Sequence, residues 1–196
     1  MPHTNRMLIA NHDGRTMERA IKDELQRSQD FDMSVAFVSQ GALQALKQYF
    51  LNFADNNNHQ TGRIITSTFN YFNSPKAFKE LLKLQEETGI TVQVWQPEQS
   101  GQHVDGAAVT ADYPYHPKGY VFRHAQGDEP LYSTYIGSSN LTINALNVNR
   151  EWNLKVAATN SSGLAEQLSD EIESQISESK PLTDAWLKLY EEAVSY

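Results

Sequence analysis

Apolar positions along this chain follow two spacings, and the spacings alternate. Met7, Leu8, Ile9 and Ala10 form a short apolar run, after which Met17, Ala20, Ile21 and Leu25 recur at helical spacing, predicting a strand and then an amphipathic helix. Residues 32–38 predict a second strand, and Ser39 can cap a helix whose buried face is Leu43, Leu46, Phe50 and Phe53, ending at the turn-rich Asp55-Asn56-Asn57-Asn58. Residues 62–68 form a third apolar run. Ser74-Pro75 then supplies an N-cap and a first-turn proline ahead of Phe78, Leu81, Leu82 and Leu84, and residues 90–95 predict the next strand. Strands alternating with helices argue for parallel pairing with helices on both sheet faces, and in such sheets ligands sit beyond the carboxyl ends of the strands. The segment 69–73 lies at such an end. Its aromatic residues could stack on bases or pack as a covered loop against the following helix.

The second half changes character. Residues 97–114, with Pro97, Gly101, Gly106 and Pro114, have loop composition over a length that suggests a lid or substrate-facing segment. Strands follow at 120–124, 131–137 and 152–159, the first two joined by a turn at 125–130 as a hairpin, which predicts antiparallel pairing here. Two acidic helices, 164–176 and 184–194, close the pattern, the second introduced by Pro181-Leu182-Thr183. The predicted fold is α/β, with a mixed, largely parallel sheet flanked by helices on both faces. Residues 1–160 are expected to form the main domain, and residues 161–196 an acidic helical extension that packs on it or leads to a further domain.

Composition narrows the possibilities. In 196 residues of 39% apolar content there is enough to bury one substantial core. No apolar run is long enough to cross a bilayer and the opening residues lack a signal-peptide pattern, so the expectation is a soluble, cytoplasmic protein without a membrane partner. Without cysteine there are no disulfides or thiolate metal sites, and no histidine–carboxylate cluster suggests a metal, so neither metal nor cofactor is expected. A net charge of −8 speaks against a nonspecific nucleic-acid binder. From Leu164 onward, however, eight acids face two lysines, a balance of −6, which leaves only −2 on the body and room for a locally positive cleft. No phosphate-binding Gly-x-x-x-x-Gly-Lys loop is present, which excludes a nucleotide-driven motor in this segment.

Chemistry concentrates between Tyr115 and Trp152. Strand alternation puts His116 and Lys118 on one face, where both can reach a single ligand. The turn Gly137-Ser138-Ser139-Asn140 offers hydroxyl, amide and backbone donors suited to phosphoryl oxygens, and Glu151 can orient the histidine. Together these supply a nucleophile, phosphate-binding donors and a carboxylate, the parts of a phosphodiester-cleaving site. Plainer duties exist for each: a hydrogen-bonded histidine, a solvated lysine, Asn140 as a helix cap, Glu151 in a surface pair with Arg150 or a lysine, and Trp152 as core rather than a base-stacking platform.

The same residues resemble the phospholipase D superfamily, whose signature is His-x-Lys, an acidic residue, and then Gly-Ser-x-Asn. More narrowly, Phe37-Val38, Tyr115-His116-Pro117-Lys118-Gly119-Tyr120, Ile136-Gly137-Ser138-Ser139-Asn140-Leu141-Thr142 and Asn149-Arg150-Glu151-Trp152-Asn153 resemble the nuclease domain at the amino end of some bacterial DEAD/DEAH-box helicases, and the metal-independent restriction endonucleases of that superfamily. The likeness spans roughly residues 7–158, with Pro181-Leu182-Thr183 resembling the exit towards a helicase motor. It implies that His116 attacks phosphorus to give a phosphohistidine, Lys118 and Asn140 hold the nonbridging oxygens, Ser138 donates nearby, and Glu151 sets the tautomer of His116. One departure is Arg123, which stands where the signature has its acid. A second histidine must protonate the leaving oxygen. The single copy of the signature implies that a homodimer supplies it across a twofold axis, while His12, His103 and His124 lack matching motifs. The implied function is a metal-independent endonuclease acting on DNA, with a catalytically weak binding or targeting module attached to a helicase as the alternative. A lipid phosphodiesterase fits less well.

Overall fold

The computed structural model describes residues 7–56, 62–97, 114–125 and 131–195. The expected lid at 97–114, the turn at 125–130 and His103 fall largely or wholly outside them. The elements, in chain order, are β1 (Leu8–Ile9), α1 (Met17–Leu25), β2 (Asp30–Val35), α2 (Gln40–Asn56), β3 (Gly62–Thr66), α3 (Pro75–Thr88), β4 (Thr91–Trp95), β5 (Lys118–His124), β6 (Leu131–Gly137), β7 (Asn153–Thr159), α4 (Gly163–Ser177), β8 (Ser179–Pro181) and α5 (Asp184–Val194). A single 3-10 turn, Phe69–Tyr71, follows β3, and a one-turn π-helix, Asn144–Val148, precedes β7. Helix starts are set locally: the side chains of Thr16, Ser39, Ser74, Ser162 and Thr183 each accept a backbone N–H three residues on.

All eight strands form one sheet in the order β1-β7-β6-β5-β2-β3-β4-β8. The sheet is mixed, as the pattern predicted, but its parallel share is smaller than expected. Only β2–β3 and β3–β4 pair in parallel; every other neighbour is antiparallel. The reason is that only α2 and α3 join strands that lie side by side, whereas α1 and α4 link strands far apart in the sheet. In the second half β5 and β6 pair as the expected hairpin, β7 follows antiparallel, and β5 returns beside β2.

Helices cover both faces unequally. On one face α1, α2, α3 and α5 enclose the main core, built on Phe31, Met33 and Val35 of β2 with Ile64, Val92, Val94, Tyr120, Phe122 and Tyr135. On the other, α4 alone among the described residues crosses the sheet, with Ala165 against Val121 and Tyr132, and Ile172 in a cluster with Ala36, Ile65 and Tyr115. The three-residue strand β8, which apolar periodicity did not reveal, joins β4 between α4 and α5 and so carries the chain from one face to the other.

Because α4 is a single helix, it leaves the corner of its face near the start of β7 uncovered. Leu8, Leu154 and Ile136 lie opposite one another across β1, β7 and β6, and are 48%, 47% and 50% exposed. Trp152, expected in the core, is 74% exposed. Among the described residues no helix covers the sheet face beside it, which leaves the indole exposed.

Charged groups inside the fold are paired. Under α4, Asp32 receives Arg63 Nε at 2.5 Å and Arg123 Nη1 at 2.9 Å, and Arg63 reaches Glu173 of α4 at 2.6 Å. On the opposite face the buried Glu24 accepts from Tyr135 Oη at 2.7 Å, Lys155 Nζ at 2.8 Å and Ser133 Oγ at 2.9 Å, and lies 2.7 Å from His124 Nε2. Burial pushes the Glu24 carboxyl up, but the bonds from His124, Lys155 and Tyr135 outweigh it and hold it at about 2.

Candidate active site

The carboxyl ends of β2, β3 and β6 and the amino ends of β5 and β7 meet at one end of the sheet, and the predicted site residues gather there. Tyr115 anchors the approach to β5. Its hydroxyl donates to Gln175 Oε1 of α4 at 2.8 Å, and its ring lies 5.2 Å from that of Trp95. With Tyr115 buried on the α4 side, His116 turns outward. Lys118 Nζ lies 2.8 Å from His116 Nδ1 and 3.2 Å from Nε2, and donates to the His116 carbonyl at 2.9 Å. The two predicted partners therefore meet.

Beneath them Phe37 sets the imidazole's plane. Its ring meets His116 edge-on at 5.6 Å between centroids, and Lys118 Nζ stands 6.0 Å over it. Burial, then the neighbouring ammonium, lowers the pKa of His116, which favours the neutral imidazole, the form with a lone pair to offer. Burial also lowers the pKa of Lys118, while the charge of Glu151 works against that shift, so Glu151 lies within electrostatic reach of the lysine.

The Gly137–Asn140 turn is held from two sides. Ser138 N–H donates to Trp152 O at 3.0 Å and Ser139 N–H to Asn153 Oδ1 at 3.2 Å, tying it to β7. Leu141 N–H donates to Phe37 O at 3.0 Å, and Asn140 Oδ1 accepts Phe37 N–H at 3.2 Å, tying it to the end of β2. Glycine is needed at 137, because a Cβ there would lie 2.0 Å from Trp152 O. Ser138 Oγ donates to Glu151 Oε2 and accepts Trp152 N–H at 3.0 Å, while Asn149 Nδ2 reaches Glu151 Oε1 at 3.4 Å. Glu151 is thus tied to Ser138 and Asn149 and reaches Lys118 through its charge. Asn140 reaches the histidine through Phe37.

Arg123 stands apart from this cluster. It lies five residues along β5 from Lys118, roughly 16 Å at strand rise, and alternation turns it to the α4 face, where it pairs with Asp30 and Asp32.

Spacing did not single out Phe72 and Asn73. Asn73 is buried, its Oδ1 accepting Val38 N–H at 2.7 Å and its Nδ2 donating to Ser67 O at 2.7 Å, Ala36 O at 3.0 Å and Thr66 Oγ1 at 3.0 Å. Tyr190 Oη donates to its carbonyl at 2.6 Å. The loop pinned in this way holds Phe72 4.8 Å from Phe37 and 64% exposed. The covered loop expected for segment 69–73 holds for its buried base at Asn73, while Phe72 at its tip is exposed.

A mixed α/β sheet with a His-x-Lys pair and a Gly-Ser-x-Asn turn at one end defines a phospholipase D-like protein. The family model described as cardiolipin synthase, PLD-like domain, matches residues 21–176, and the chain belongs to that family. Among solved structures, NucT from Helicobacter pylori is similar at a TM-score of 0.58 and 12% identity, covering 89% of this chain and 96% of that one. Nuc from Salmonella typhimurium, a phospholipase D family member, is similar at 0.57 and 13%, covering 89% and 95%. No curated protein matches the chain in sequence. Among the described residues, no helix is long and apolar enough to cross a membrane.

Proposed function

We propose that this chain is a metal-independent phosphodiesterase that cuts DNA through a phosphohistidine, working as a homodimer and serving as the nuclease module of a helicase or restriction-type protein. The observation that carries the reading is the His116–Lys118 pair, with its imidazole biased towards the neutral form, standing beside the Ser138–Glu151 contact and the Asn140 turn.

In this reading a nonbridging phosphate oxygen competes with the imidazole for Lys118 Nζ and draws the ammonium onto the phosphate. His116 then attacks phosphorus, forming a P–N bond as the P–O bond to the leaving strand breaks. His116 of a second copy gives its proton to the departing oxygen. It then takes one from water, which attacks phosphorus, breaks the P–N bond and restores both histidines. Lys118 neutralises and Asn140 binds the equatorial oxygens, Ser138 donates beside them, and the charge of Glu151 supports the Lys118 ammonium. The second copy has a surface to meet, since Leu8, Ile136, Leu154 and Trp152 make an exposed apolar corner next to the site. Arg123 in place of the usual acid is compatible with activity, because it faces away from His116 and closes its own ion pairs.

Hydrolysis of bis(p-nitrophenyl) phosphate and of DNA is expected to persist in excess chelator. In the His116→Ala protein it should fall by about 1000-fold or more. Activity that vanishes with chelator, or survives that substitution, overturns the reading.

A further inference from the structure

From the loop geometry we infer that Phe72 is a specificity-determining residue, stacking on an unpaired base next to the scissile phosphate and thereby selecting single-stranded nucleic acid. This rests on the nuclease reading of His116 and Lys118. Phe72 is the outer end of an aromatic relay, 4.8 Å from Phe37, which in turn lies 5.6 Å from His116. A strand whose phosphate sits on His116 and Lys118 therefore has a neighbouring base within reach of the exposed ring.

The backbone beneath the ring is strained in a way that holds it outward. Asn70 and Tyr71 are consecutive non-glycine residues in the left-handed region, at φ 50° and 53°. That conformation is disfavoured for side-chain-bearing residues and persists only where the surroundings impose it. Here the imposing group is the buried Asn73, with four side-chain hydrogen bonds to the ends of β2 and β3, assisted by the Tyr190 hydroxyl. A large apolar ring is thus kept in water by a rigid base, beside the Lys118 ammonium and its His116 partner, with no helix over Phe72 among the described residues. Nucleobases suit such a surface, because each presents a flat face to an aromatic ring and the backbone charge is met by the Lys118 ammonium. In a duplex both faces of a base are already stacked, so the site selects strands with an unpaired base.

Binding tests this separately from hydrolysis. In a His116→Asn background with chelator present, fluorescence anisotropy is measured with labelled oligothymidylate, with the same strand carrying abasic tetrahydrofuran residues, and with a duplex. Oligothymidylate is expected to bind more tightly than the other two. Adding Phe72→Ala should weaken the oligothymidylate complex by about ten-fold and leave the abasic complex unchanged, whereas Phe72→Trp should retain tight binding. Equal oligothymidylate affinity for Phe72→Ala and its parent overturns the proposal, as does an equal loss on the abasic strand or no preference over duplex. A Phe72→Ala change in sedimentation with strand affinity intact would assign the ring to a contact between copies instead. Because cleavage is not read, inactivity towards diesters would defeat the nuclease reading while leaving this result standing.

Discussion

At the scale of single residues, the most consequential side chain that spacing could not expose is Glu24. It sits on the buried side of α1, where the apolar pattern of Met17, Ile21 and Leu25 predicts a helix but says nothing of a carboxylate among them. Its hydrogen-bonding partners from β5, β6 and β7 lie a hundred residues or more away, so only the folded sheet brings them together. The carboxyl is held at about 2 against a usual 4.5, which means that folding favours its charged form. That contribution is fully present above about pH 4.5, on the order of 3 kcal/mol, and is lost as pH falls through about 2. Urea unfolding should therefore find Glu24→Gln less stable than the parent by roughly that amount at pH 7, with the gap narrowing below pH 4.5. A gap independent of pH would show that shape rather than charge matters at this position.

At the scale of elements, the sequence was most legible where a strand or helix satisfies its own pattern. The capped helices and the strands β2, β3, β4, β5 and β6 appear close to where alternation and capping put them, and His116 and Lys118 share a face as period two requires. What stayed hidden depends on neighbours. Trp152 reads as core by residue type, yet its burial is decided by where α4 crosses the sheet, and the parallel share of the sheet is decided by connections rather than by strand composition. The Gly137 turn shows how closely such neighbours are set. An alanine there would press its methyl group into the Trp152 carbonyl, and the bonds that hold Ser138 and Ser139 to the β7 side leave little room to yield. Gly137→Ala is expected to cost about 2 kcal/mol or more of stability. In the fraction that remains folded, diesterase activity should fall by at least about ten-fold. Thermal unfolding and activity assays at matched folded fraction would check both, and an unchanged melting temperature would contradict the close approach.

At the scale of the whole molecule, the uncovered apolar corner is the surface that a second copy would meet. Leu154→Lys places a charge on a half-exposed position, so the isolated fold should tolerate it, while a second copy docked there would not. Analytical ultracentrifugation is expected to show a dimer for the parent and a monomer for this variant, with a parallel loss of phosphodiesterase activity. A variant that stays dimeric and active would place the contact elsewhere. The outer strands narrow how a dimer can form. β1 pairs through two residues and β8 through three, one of them Pro181, which has no N–H to offer. Among the described residues neither outer strand is itself long enough to carry an extended backbone ladder, so side chains would dominate the recognition between two copies. Substitutions at a few surface positions could then tune the strength of assembly while leaving the fold intact.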